Sequence, residues 1–195
     1  MDKKFYNNLI VSSSPHIVTN MDTTKIMSMV ILAMVPSLLV SVYVFGMRVL
    51  VLTAVCIAAS MLFEFGWNKM MKKQQTVGDL SAVVTGLLLA LNLSTAVPLW
   101  QCAVGAVFAI VVVKCLFGGL GHNIVNPAIA ARVFMLLTFG AVGAVANPVI
   151  VELTASATPL AALNQGAEVA AAEAPSVMNL LLGLHGGTIG ETCAV

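Results

Sequence analysis

This sequence is short of charge. Only 9% of its 195 residues are Asp, Glu, Lys or Arg, against roughly 25% in an average soluble domain. Nine basic and eight acidic residues leave a formal net charge of +1. So little charge, so evenly balanced, excludes a basic nucleic-acid-binding domain and a charged disordered segment. Cysteine is also sparse. The four cysteines form no C-x-x-C pair and no Cys/His cluster with metal-ligand spacing. Cys56, Cys102 and Cys115 lie in apolar runs and read as buried thiols. The alternative is an intramembrane metal site with ligands from several helices or a partner. A cleavable leader is not expected: the first apolar run starts only near residue 26 and is too long for a signal h-region. What the chain does have is apolar residues. They make up 59% of it, against roughly 45–50% in a soluble domain, and the mean hydropathy is +1.01. These figures predict a membrane protein.

Crossing a hydrocarbon core takes about 20 apolar residues in a helix rising about 1.5 Å each. Five segments between residues 26 and 147 approach that length. They are 26–45, 49–67, 80–97, 99–117 and 127–146. Pro36 lies inside the first, where neighbouring helices can absorb a kink. The third contains Gly86, Asn92 and Ser94, which predict a tilt or a break. Asp79 is placed to cap it. The fifth opens with Asn126, a good N-cap, and Pro127, which suits the first helical position. Lysines then set the orientation. Three precede the first segment, and Lys69, Lys72 and Lys73 follow the second. Both groups belong on the cytoplasmic side. The chain thus divides into a cytoplasmic arm (1–25), five transmembrane segments (26–147), an outer-face loop (148–185) and the start of a further membrane helix (186–195). The fold class is an all-α polytopic transmembrane bundle.

Glu64, Lys114 and Arg132 are costly in lipid. Each lies near the cytoplasmic end of its segment. The expectation is that Lys114 and Arg132 sit close together at that boundary and snorkel to it. An ion-path role is the alternative. The connection Gly118-Gly119-Leu120-Gly121-His122-Asn123-Ile124-Val125-Asn126 holds three glycines in four residues. They permit positive φ and close backbone approach. The helix N-terminus that follows offers free N–H groups. A tight turn explains the same residues. In the loop, Glu152-Leu153-Thr154-Ala155-Ser156-Ala157-Thr158-Pro159 reads on physics alone as a hydroxyl-rich turn. Nothing nearby in sequence would activate Thr158 as a nucleophile.

Several of these stretches occur together in one known family. Ser14-Pro15-His16-Ile17 comes first, then 79–93, then 118–132, then Ser156-Ala157-Thr158-Pro159-Leu160, then 187–192. In this order the sequence resembles RnfD, a membrane subunit of the Rnf complex, the ion-translocating ferredoxin:NAD oxidoreductase of bacterial and some archaeal membranes. It is similar also to the B-type membrane subunit of the sodium-pumping NADH:quinone reductase. The shorter polar arm favours the Rnf member. The resemblance covers essentially the whole chain. It implies FMN joined through its phosphate to a threonine hydroxyl by a separate flavin transferase. The attachment pattern places the acceptor at Thr158, with Glu152 in the acidic position and Ser156, Ala157 and Pro159 around it. Glu152 stands where Asp is usual, and Ala155 where Ser or Thr is usual. The resemblance also implies a C-terminally truncated chain, the first half of a two-repeat membrane fold.

The function expected on this basis is that of an electron-carrying membrane subunit. FMN would pass electrons between ferredoxin- and NAD-linked centres, coupled to sodium or proton transport. No metal ligand set is expected. The NAD and ferredoxin steps would belong to partner subunits, since the chain has neither a nicotinamide fingerprint nor an iron–sulfur motif. The expected surroundings are a cell membrane and the other Rnf subunits, with no nucleic acid. The rival classes are a non-redox channel or transporter and a scaffold subunit with an empty loop.

Overall fold

The computed structural model describes residues 21–73, 75–139 and 188–190, and among these every regular element is helical. Helix α1 spans Thr23–Phe45, and its N-terminus is capped by Asp22, whose Oδ1 accepts from Thr23 N at 2.8 Å. It stops at Gly46, which takes φ 80° and donates its N–H back to Val42 O. Helix α2 spans Arg48–Met70. Each is 23 residues long, so each reaches about 35 Å, enough for a core of about 30 Å. Both are long and apolar enough to cross a membrane. Their outward faces agree. Leu32, Tyr43 and Leu62 are 71%, 75% and 68% exposed. Large apolar side chains this exposed suit a lipid or protein neighbour rather than water. The fold is an all-α membrane helix bundle.

A 3₁₀ turn over Val77–Asp79 leads into α3, Ser81–Leu91. The N-cap position itself falls on Leu80 rather than on Asp79, which instead holds the helix start from one residue before: its Oδ1 accepts from both the backbone N–H and the hydroxyl of Ser81. With 11 residues, α3 is only about 16 Å long. The break falls at Asn92, and a coil with Ser94 and Pro98 leads to α4. Helix α4 begins as an α-helix over Leu99–Val107 and continues as a π-helix over Phe108–Cys115. Helix α5, Pro127–Phe139, starts as expected, with Asn126 Oδ1 accepting from Ala128 N at 3.0 Å. The five helices fall on the five apolar segments, though α3 is well short of its segment. The predicted arm (1–25) is described only from residue 21, and the predicted loop (148–185) lies outside the described residues.

Helix α2 is the hub and packs against both α3 and α4. Gly86 permits the closest approach. A Cβ there would lie 2.8 Å from Ile57 Cα and 2.9 Å from Cys56 O, both backbone atoms that cannot yield. Small residues at membrane helix contacts serve this purpose. At Gly105 a Cβ would meet only the flexible end of Met135. Gly86→Ala should therefore cost about 1–3 kcal/mol, and Gly105→Ala clearly less. Unfolding midpoints of the two variants in detergent check this order. Cys56, Cys102 and Cys115 are buried thiols, as expected. Phe108 and Phe134 stack with centroids 4.1 Å apart and join α4 to α5.

The end of α3 is closed by a distant piece of chain. Gly190 N donates to Leu91 O at 2.7 Å, and Ile189 N donates to Leu93 O at 3.1 Å. The Ser41 hydroxyl on α1 lies 2.6 Å from Ile189 O, which anchors the same segment. Carbonyls that a broken helix leaves without partners are satisfied here by backbone. Thr188–Gly190 is itself non-helical. The rest of the predicted helix start at 186–195 lies outside the described residues.

Candidate functional site

The buried charge lies between α2, α3 and α4. Glu64 is 1% exposed and Lys114 2%. Lys114 Nζ sits 2.7 Å from Glu64 Oε1. The same ammonium donates to Ser81 Oγ at 2.6 Å. Glu64 Oε1 also accepts from Thr76 Oγ1 at 2.7 Å, and Thr76 in turn accepts from Asn68 Nδ2 at 2.9 Å. Ser81 donates onward to Asp79. The result is one continuous hydrogen-bonded chain. It runs from Asn68 through Thr76, Glu64, Lys114 and Ser81 to Asp79, and it links two carboxylates through one ammonium.

Local structure explains why these residues meet. Asp79 fixes Ser81 at the first turn of α3. Lys114 lies in the π stretch, where Leu116 N reaches Val111 O in an i→i+5 bond. A π stretch alters which side chains face a neighbour and is frequent at functional sites. The turn after it closes tightly, with Gly119 N donating to Lys114 O at 2.9 Å. Gly118, Gly119 and Gly121 all have positive φ, as the three glycines suggest. A cavity of about 300 Å³ adjoins the network, lined by Glu64, Trp67, Asn68, Lys73, Thr76, Cys115 and residues 118–120.

This overturns the snorkelling expectation for Lys114. Its head group points into the bundle and neutralises Glu64, because a paired charge costs far less than two separate ones in low dielectric. Arg132 also departs from expectation. Its Nη1 donates to Asn92 Oδ1 at 3.1 Å. Lys114 binds at the first residue of α3 and Arg132 just past the last, so their partners are about 16 Å apart along that helix. They do not share a boundary. Arg132 instead faces a cleft of about 470 Å³ with Ser37, Asn92, Thr188 and Gly190 among its lining. Sequence reasoning misses Thr76, Asn68 and Trp67. The one usable signal is the opposite charge of Glu64 and Lys114 at the same expected end of two segments. Thr158, Glu152, Ser156, Ala157 and Pro159 lie outside the described residues.

The family model for NQR2, RnfD and RnfE matches residues 10–195. The chain belongs to this family. It is 47% identical over 191 residues to the D-type subunit of the Na(+)-translocating ferredoxin:NAD(+) oxidoreductase complex of Acetobacterium woodii, covering 96% of this chain and 59% of that one. It is 40% identical over 131 residues to the D-type subunit of the ion-translocating oxidoreductase complex of Shewanella piezotolerans, covering 66% and 37%. The corresponding protein of Shewanella frigidimarina is equally similar, at 40% over 131 residues. The chain thus spans about three fifths of its Acetobacterium relative and a smaller share of the other two. Two members of the buried network, Asp79 and Ser81, open one of the stretches that carry the resemblance, 79–93.

Proposed function

We propose that this chain is a membrane subunit of an ion-translocating ferredoxin:NAD oxidoreductase and carries FMN, esterified through its phosphate, on Thr158. The observation that carries this reading is its similarity to the Acetobacterium RnfD-type protein over nearly the whole chain. FMN supplies the redox chemistry when bound, and the protein sets its position. In this reading Glu152, Ser156, Ala157 and Pro159 form the segment that a flavin transferase recognises. The N-terminus is cytoplasmic and the Thr158 loop lies on the outer face, following the lysine asymmetry. The other Rnf subunits hold the ferredoxin and NAD steps.

Ion coupling in this reading falls to the Glu64 network. A buried carboxylate held by an ammonium and a hydroxyl responds strongly to any charge brought near it, because low dielectric magnifies the interaction. The rival reading, a transporter with no redox role, draws support from the broken α3 and the docked 188–190 segment, since discontinuous helices are a transporter device. Pigment separates the two. The protein purified from native membranes should be yellow, and its denatured band should fluoresce. A colourless preparation from cells with an active transferase would favour the transporter.

A further inference from the structure

Two polar atoms beside the Glu64 network are buried and have no hydrogen-bond partner. They are Glu64 Oε2 and Trp67 Nε1. Both residues line the cavity of about 300 Å³ described above. Its inner wall holds buried Glu64, Asn68 and Cys115, and its rim holds exposed Lys73, Gly118 and Leu120. We infer that this cavity is an aqueous chamber that brings water to the free oxygen of Glu64 from the side of Lys73, in the connection just after α2.

The two atoms define the ligand. Glu64 Oε2 is an acceptor and needs a donor. The indole N–H of Trp67 is a donor and needs an acceptor. Water is the small neutral molecule that can do both, so water in the cavity can satisfy each atom. An anion would be repelled by the carboxylate, and an ammonium cannot accept from the indole. A metal cation would meet the positive end of the Trp67 N–H. It would also leave a net positive charge beside a pair that Lys114 already neutralises at 2.7 Å. The chamber has room for several waters, and Thr76, Asn68 and Lys73 supply the further polar contacts that ordered water requires. Each unpaired buried group left dry would be destabilising. Hydration removes that cost for both. The consequence is directional. The network is wetted through the Lys73 and 118–120 rim, on the side where Thr76 is itself exposed.

Cys115 is a native reporter because, though buried beside Ala82 and Ile110, it lines this chamber, whereas Cys56 and Cys102 lie in the main apolar core and do not line it. The test is labelling of the intact complex in native membranes with a charged methanethiosulfonate, which requires water and access. Peptides of this chain are then read by mass spectrometry. Cys115 should be modified about ten-fold or more faster than Cys56 and Cys102, and only from the face bearing Lys73. Leu120→Trp, which narrows the rim, should slow the reaction without changing labelling elsewhere. Labelling of Cys115 no faster than of Cys56 and Cys102 would overturn the inference. Equal labelling from the opposite face, or an unchanged rate in Leu120→Trp, would do the same. None of these readouts depends on flavin, so the chamber and the redox reading fail separately.

Discussion

Lys114→Met should destabilise the protein by about 3–5 kcal/mol, the cost of stranding a buried charge when its partner is removed. Glu64 is 1% exposed, so the carboxylate would keep only the few waters of the adjoining cavity in place of its ammonium partner. Its Oε1 would keep only the Thr76 hydroxyl as a donor among the described residues. Ser81 Oγ would lose the ammonium as well. The double variant Glu64→Gln/Lys114→Met should recover most of the loss, because two neutral side chains leave no stranded charge. The interaction energy from the double-mutant cycle should then be large and favourable. Unfolding in mixed micelles, read by helical signal, checks this. Additive single losses, each under about 1 kcal/mol, are what a surface pair would give and would contradict the buried pairing.

Thr158→Ala should abolish covalent flavin. In a denaturing gel the band from the wild type, matured with an active transferase, should fluoresce. The Thr158→Ala band should be dark, and Thr154→Ala should be as bright as wild type. Thr158→Ser should retain some signal, because the hydroxyl remains while its placement loosens. The reasons are chemical. A phosphoester survives denaturation, and in the sequence the small Ala157 precedes the acceptor and Pro159, with its fixed φ, follows it. In the proposed reading a flavin transferase would supply the activation that no residue close in sequence offers. A full-strength band from Thr158→Ala would move the anchor elsewhere, with Thr154 the first alternative.

The helices were legible because lipid imposes a simple rule on sequence. Apolar runs must be helical where backbone groups have no water to bond. The helix starts held by Asp79 and Asn126 were legible for the same local reason, since each bonds an N–H two residues on. The break at Asn92 was signalled by composition. Gly86, which also looked like an irregularity, instead sits in a well-formed turn of α3, and its missing side chain serves the contact with α2. Pairings across long separations were not legible. Lys114 meets Glu64 across 50 positions, and Ser41 meets Ile189 across 148. Proximity in sequence put Lys114 and Arg132 at one connection. The π stretch and the pull of a buried carboxylate turned Lys114 inward, and Asn92 drew Arg132 toward the far end of α3. No periodicity rule captures either effect. At the Thr158 segment the residues gave a hydroxyl-rich loop, and only the resemblance gave it a cofactor.

The most direct measurement is mass spectrometry of the 147–176 peptide from protein purified out of native membranes. The peptide should carry one FMN less one water, and fragmentation should place the addition on Thr158. An unmodified peptide from cells with an active transferase would contradict the account.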